Sequence, residues 1–416
     1  MKIVIATAVY YPQINGVAMF SYNLAAGLVK RGHEVMVICP SQTGQSYTRT
    51  VDGIKTVRLK SINIRVYPDQ IHDVPEKKRI FGVALPHIFY KNGFRASVFP
   101  SKEISEILSE FQPDVVHVQI SDPIGLSVVS WAKKSGVPVV TTEHNQPEVL
   151  TDPLKLPRPL KKPANTMLAS YFRNRQSKSD FVTMPTKQSI DNVLFATGKK
   201  LEVPVAAVSN GVDLSCFKPG KPSASMYKKY NIDPDAPTVL YVGRVDPEKR
   251  VGTVIESFLR AGISKSQLVI VGDGVDKARL EKQYGDNPSI KFLGRVVGND
   301  LYEIYKMGWV FATASEIETQ GIVLIEAAAS GLPLIAVDAG AVAEVCLDGE
   351  NGYLCEPGSV PEISVAIEKI LLDSKLREKF AKKSLEVAKE HDFETTLDRF
   401  INIYNKVIAD KKQLKE

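Results

Sequence analysis

Glu318 and Glu326 are two carboxylates in the stretch Thr313–Ala336, TASEIETQGIVLIEAAASGLPLIA, with Gly321 between them. An apolar run, Trp309–Ala312, precedes this stretch and Leu334–Val337 closes it, so the pattern reads strand, loop, short helix, strand. A helix N-terminus presents free N–H groups and a partial positive charge, and it accepts an anion. One carboxylate before the helix and one a turn inside it flank that anion. The set suits a phosphorylated sugar better than a metal, because no His or Cys stands nearby.

Other candidates lie just after apolar runs. Thr238–Val242 is followed by Gly243-Arg244-Val245-Asp246-Pro247-Glu248-Lys249-Arg250, where glycine lets backbone approach a ligand and Arg244 and Lys249 can reach a diphosphate. By itself this octapeptide reads as an exposed charged turn. Gly272-Asp273-Gly274 follows the run ending at Val271 and is a tight turn. Gln13–Val17 is a glycine loop before a helix, without the GxGxxG spacing of a dinucleotide site. Asp233-Pro234-Asp235 has the form of a metal-holding DxD but precedes a strand among turn residues, so it reads as a turn. His144 sits in a polar loop after a strand, where side chains face a cleft.

These residues need a framework. At 416 residues the chain exceeds one ordinary core, and two domains are the default. A hydrophobic share of 44% with 24% charged residues describes a soluble globular chain. The net charge of +6 permits an anionic substrate or membrane surface without calling for nucleic acid. Cys39, Cys216, Cys346 and Cys355 form no CxxC pair and read as reduced thiols. Lys2–Val9 is a buried first strand rather than a leader, and no apolar run is long enough to span a bilayer.

Strands at 2–9, 34–39, 54–59, 115–119, 137–142, 181–185 and 205–208 alternate with helical patterns, which implies a doubly wound parallel sheet. A second series starts at 238–242 and continues through 267–271, 290–293, 334–337 and 351–355. The strongest linker signal is Phe217–Pro222, FKPGKP. Residues 153–179 break the rhythm with seven basic residues, no acid, and Met167, Leu168, Tyr171 and Phe172 at helical spacing. That segment reads equally as a basic amphipathic face for an anionic membrane or as a solvated positive face on a core-packing helix.

Gly243-Arg244, Glu248-Lys249, Gly272-Asp273-Gly274 and Glu318…Glu326 occur in this order, with Asn15-Gly16-Val17 and Asn210-Gly211-Val212-Asp213 ahead of them. Together they resemble glycosyltransferase family 4 (GT4), the retaining family that includes sucrose synthase-like and lipid mannosyl- and glucosyltransferases, whose E-x7-E motif Glu318 and Glu326 match. The resemblance covers nearly the whole chain. It implies a GT-B fold of two Rossmann-like domains with parallel sheets facing across a cleft: residues 1–208 on the acceptor side, residues 209–392 binding the nucleotide sugar, and the last helix, within 393–416, crossing back to the first domain. Arg244 and Lys249 would neutralise the donor diphosphate, Glu318 would hold hydroxyls of the transferred sugar and Glu326 those of the ribose. Gly16, Gly243, Arg295, Gly321 and Ile322 would complete donor binding, and His144 would line the acceptor side. No resident metal or other cofactor is implied.

The chain departs from the family at His117-Val118-Gln119, where members often carry His-x-His, and at Glu143-His144-Asn145, where some lipid-acting members have His-Thr. Both departures touch the acceptor side. The implied activity is transfer of a hexose from a UDP- or GDP-sugar to a membrane lipid such as a diacylglycerol or glycolipid. The enzyme would be cytoplasmic and peripheral on the inner face of the cell membrane, with residues 153–179 against it. The rivals are a soluble sugar or glycan acceptor, a sugar-nucleotide epimerase or pyridoxal-type phosphorylase on the same architecture, and a nucleotide-sugar sensor without turnover.

Overall fold

The structure, a computed structural model, describes residues 1–13, 15–63, 95–119, 122–144 and 157–414. The loop from Asn145 and the start of the basic segment, 153–156, lie outside the described residues. The chain divides into two compact units: Met1–Ser209 with Thr396–Glu416, and Asn210–Thr395. The linker expected at 217–222 does not divide them. Phe217 is buried in the second unit, its ring 4.8 Å from that of Tyr302 and 5.4 Å from that of Tyr305. Prolines and glycine mark a turn there, but a buried aromatic ring ties it to one core.

In the first unit the strands are β1 (Lys2–Ala6), β2 (Glu34–Pro40), β3 (Tyr47–Val51), β4 (Ile54–Leu59), β5 (Ile62–Asn63), β6 (Arg95–Ala96), β7 (Val115–Val118), β8 (Val139–Thr142), β9 (Phe181–Met184) and β10 (Val205–Ala207). The main sheet has the order β10-β9-β8-β7-β1-β2-β4-β3, with β5 and β6 paired separately. It is parallel except at its edge, where β3 runs antiparallel to β4. Ile3, Val4 and Ile5 of β1 are completely buried, as a central strand covered on both faces requires. The order reverses between β1 and β7, so the loops after these two strands flank the switch point where open parallel sheets take ligands. The helix Gly16–Lys30 follows β1 and is capped by Asn15, whose side chain accepts from the Ala18 amide at 2.9 Å.

The C-terminal helix, Phe393–Gln413, is bound to the first unit from Thr396 onward. A side chain at Gly27 would come within 2.5 Å of Leu397, so the absence of one lets the two helices meet. The Tyr404 hydroxyl lies 2.7 Å from Nδ1 of His117 on β7, and the other His117 nitrogen lies 2.6 Å from the Thr142 hydroxyl on β8. All three side chains are buried. Burial, and then His144, hold His117 neutral with its pKa pushed down to about 3. His117 therefore works as an uncharged clasp between the sheet and the last helix. Lys411 closes the far end on Asp180 at 2.7 Å.

In the second unit β11 (Thr238–Val242), β12 (Gln267–Val271), β13 (Ile290–Gly294), β14 (Val310–Ala312), β15 (Leu334–Val337) and β16 (Gly352–Cys355) form one parallel sheet in the order β13-β12-β11-β14-β15-β16. Here the switch point falls between β11 and β14. Tyr404→Phe should leave a fully buried imidazole nitrogen short of its partner and cost about 1–3 kcal/mol of stability. Urea denaturation checks this, and an unchanged midpoint would contradict the clasp.

Candidate active site

Two loops meet at the second switch point. After β11 the chain enters Gly243 at φ +156°, and the first residue after β12, Gly272, packs against it so tightly that a Cβ there would sit 1.7 Å from the Gly243 carbonyl oxygen. The Gly243 amide donates to Val271 O at 2.9 Å, and the Val245 amide to Asp273 O at 3.1 Å. Gly272-Asp273-Gly274 is thus the buttress under the arginine loop. Asp246, buried beneath it, accepts from the Val275 amide at 2.9 Å through one oxygen and pairs with Arg244 through the other. Glu248 holds the second arm of Arg244 at 2.8 Å.

Lys249 reaches from this loop to the loop after β14. Its ammonium donates to Glu318 at 2.7 Å, to the Ile317 carbonyl at 3.1 Å and to the Ser315 hydroxyl at 3.3 Å. Both members of the ion pair are largely screened, with side-chain exposures of 15% and 16%. Glu318 is itself fixed from behind, since its carbonyl accepts from the Ala341 amide at 3.2 Å. Gly340, at φ +60°, lacks the Cβ that would stand 2.8 Å from that carbonyl. A cation and a carboxylate from loops of adjacent strands are therefore in contact.

Gly321, at φ +73°, opens the helix Ile322–Ala329, and no side chain caps it. The first amides of such a helix have no intrahelical acceptor and point at whatever occupies the loop. One turn in, Glu326 accepts from the hydroxyl of the fully buried Tyr305 at 2.6 Å. Burial pushes the Glu326 carboxyl up to about 7, with Tyr305 pulling the other way. Gly243, Lys249, Glu318, Gly321, Ile322 and Glu326 thus cluster on the loops and helix that follow β11 and β14. Arg244 is on the same loop as Lys249, and Arg295 is exposed just after β13.

Gly16 and His144 belong to the first unit. Gly16 is exposed at the start of its helix. His144 is buried, its Nε2 2.7 Å from the Gln119 side-chain Oε1 and its ring 5.2 Å from that of Phe20. Burial alone pushes its pKa down to about 3, so the ring is neutral. Gln119, standing where the family often has a second histidine, links the His144 and His117 rings through its amide, whose nitrogen is 3.2 Å from Nε2 of His117. Sequence reasoning missed Tyr305 under Glu326 and Asp246 under Arg244. Tyr305 ends its own helix 21 residues before Glu326 and carries no local signal. Asp246 lay within the quoted motif. Asp233-Pro234-Asp235 is a turn, with Asp233 accepting from the Asp235 amide at 2.9 Å. Among the described residues no group of three His, Cys, Asp or Glu is placed to hold a metal ion.

The chain belongs to the glycosyltransferases: the family Glycosyltransferase Family 4 matches residues 14–215, and Glycosyl transferases group 1 matches residues 224–387. It is 28% identical to the sulfoquinovosyl transferase SQD2 of Arabidopsis thaliana over 79% of this chain and 64% of that one. It is 29% identical to a GDP-mannose-dependent alpha-mannosyltransferase of Mycobacterium tuberculosis over 86% of this chain and 84% of the relative. Identity is 28% to the alpha-monoglucosyldiacylglycerol synthase of Acholeplasma laidlawii, over 85% and 84% respectively. Among solved structures, the sucrose-phosphate synthase of Thermosynechococcus elongatus superposes with a TM-score of 0.71 at 17% identity, covering 98% of this chain and 99% of that one. Anabaena HepE, solved in complex with UDP-glucose, gives 0.68 at 17% identity, covering 98% and 100%. The fold is GT-B.

The raised carboxyl of Glu326 makes stability depend on pH. An acid moved from its ordinary 4.5 to about 7 binds its proton more tightly in the folded state. Its contribution is full below the unfolded value and is lost as pH rises through the folded one. Glu326→Gln cannot ionise, so the fall in urea midpoint from about pH 5 to about pH 8 should be shallower in the variant than in the parent. Parallel curves would contradict the shift.

Proposed function

We propose that the chain transfers a hexose, with retention of anomeric configuration, from a UDP- or GDP-sugar to a hydroxyl group of a membrane lipid such as a diacylglycerol or glycolipid. The observation that carries this reading is the contact of Lys249 with Glu318 across the switch point, in the loop before the helix that bears Glu326 one turn in. A donor diphosphate entering there offers the ammonium a second anion in competition with Glu318. Lys249 then turns from Glu318 to phosphate, and Glu318 becomes free to accept hydrogen bonds from the sugar hydroxyls. Arg244 adds a second cation, the amides at Ile322 meet sugar or phosphate, and Glu326 accepts from the ribose hydroxyls. Gly16 and Arg295 are assigned to donor binding.

In the reaction the bond between the anomeric carbon and the phosphate oxygen breaks. The acceptor oxygen bonds the same face of that carbon, and its proton passes to the departing phosphate. The negative charge that grows on the leaving diphosphate is what Lys249 and Arg244 stabilise, so no resident metal is assigned. Glu318 positions the sugar and is not a nucleophile. His144, buried and neutral, is assigned to shaping the acceptor side through Gln119.

The lipid acceptor has two supports. One is the set of relatives, among them a synthase of monoglucosyldiacylglycerol. The other is the helix Arg158–Gln176, where Leu160, Met167 and Tyr171 are exposed at helical spacing beside Lys161 and Lys162, and Arg175 covers the Tyr171 ring at 4.8 Å. Phe195, on the neighbouring helix Lys187–Thr197, is 89% exposed. Among the described residues no helix is long and apolar enough to cross a membrane. Peripheral attachment at the inner face of the cell membrane follows from this reading.

A panel of UDP- and GDP-sugars against total lipid extract should give a glycolipid from one donor. Lys249→Ala should lower that transfer by about a hundredfold or more, because a screened diphosphate loses its cation. Unchanged turnover would overturn the role of Lys249. The protein should also co-sediment with anionic vesicles at low salt, and less so after Met167→Glu and Phe195→Glu. No sedimentation, with transfer to a soluble sugar, would move the acceptor out of the membrane.

A further inference from the structure

Arg58 is a buried cation that the donor site does not use. It is 5% exposed on β4, yet among the described residues no carboxylate is paired with it. Its guanidinium donates to the carbonyls of Pro40, at 3.2 Å, and Tyr11, and the Tyr10 ring lies 5.8 Å away. Taking such a charge out of water costs several kcal/mol. Two carbonyls and an aromatic face offset part of that cost and leave N–H donors over. Beside it Arg95 donates to the Ser61 hydroxyl at 2.9 Å and to the Ser61 carbonyl at 3.0 Å, again with no acid paired among the described residues.

The two arginines line one small recess with Tyr10, Gln13, Ser41 and Gln42, and no described residue lining it is acidic. The Tyr10 hydroxyl, buried beside Thr56, makes no hydrogen bond of normal geometry. Two guanidinium groups without a carboxylate partner among the described residues therefore line one recess with the Tyr10 side chain, and all three can donate. The recess encloses about 10 Å³, room for one oxygen atom. It lies at the carboxyl ends of β1, β2 and β4, the edge of a parallel sheet where ligands sit.

We infer that this recess is an oxyanion subsite, in which Arg58, Arg95 and Tyr10 receive one oxygen of a phosphate, sulfonate or carboxylate group carried by the acceptor. Its anion-binding part stands by itself. The assignment to an acceptor rests on the glycosyl transfer proposed above. Under it the acceptor is narrowed from the lipids named above to one that carries an anionic group, which an uncharged diacylglycerol does not, and that charge anchors it in the first unit.

The test is titration of the full chain with inorganic phosphate, followed by calorimetry, with the donor site filled by UDP or GDP, or with phosphate alone if neither nucleotide binds. Phosphate should bind saturably, and Arg95→Ala and Arg58→Lys should each weaken it about tenfold or more. Circular dichroism confirms that each variant folds, and Arg95→Ala, at a half-exposed site, keeps the test usable if Arg58→Lys does not. In transfer assays phosphate should raise the acceptor KM and leave the donor KM unmoved. Phosphate affinity equal in parent and variants overturns the subsite. Phosphate held here with an unmoved acceptor KM overturns its assignment to the acceptor and leaves a site for free anions. Absence of any transfer sinks the proposed function, while the phosphate titration still decides the subsite.

Discussion

The pairing of Lys249 with Glu318 is the constraint around which the second unit is arranged. The two residues come from loops that follow β11 and β14, strands that are adjacent in space and far apart in sequence. They meet only because the sheet reverses its order there. Both loops are braced by positions that tolerate no side chain: Gly272 under Gly243 on one side, Gly340 behind Glu318 on the other. A half-buried ion pair of this kind contributes little net stability, because desolvation offsets most of the attraction. Its effect is to keep a cation and a hydrogen-bond acceptor in place together at the carboxyl ends of β11 and β14.

The first unit solves a different problem. Its sheet must hold a helix that the chain supplies last, after the whole of the second unit. It does so with a buried polar network, in which Tyr404 bonds His117 and His117 bonds Thr142, beside a contact at Gly27 that leaves room for Leu397. A network fully satisfied inside a core fixes one arrangement and excludes others. The same histidine that resembles a fragment of a ligand-binding motif is thereby occupied by the fold. Gln119 carries the connection onward to His144.

Much of the fold was legible because its strands are short, apolar and punctuated by glycine. The edge strand β3 was not read, although Asp52-Gly53, both with positive φ, is the turn that a tight hairpin demands. Thr48 to Val51 are all exposed, so it lacked the apolar run used to find the others. The linker expected at Phe217–Pro222 failed because turn chemistry reports the local backbone and says nothing of the ring of Phe217 in the core. The residues that cluster after β11 and β14 were singled out from motif order, but their pairing was not. Sequence separation hides that Lys249 touches Glu318 and that Tyr305 supports Glu326. The spare charge of Arg58 was equally hidden, since an arginine in a strand shows its lack of a partner only when its neighbours are placed.

The measurement that bears most directly on this account is a crystal structure of the chain with UDP or GDP bound. The account predicts that the Lys249 ammonium leaves Glu318 for a phosphate oxygen at about 2.8 Å, with the Glu326 carboxylate on the ribose hydroxyls. A nucleotide seated away from the loops after β11 and β14, with Lys249 and Glu318 still paired, would contradict it.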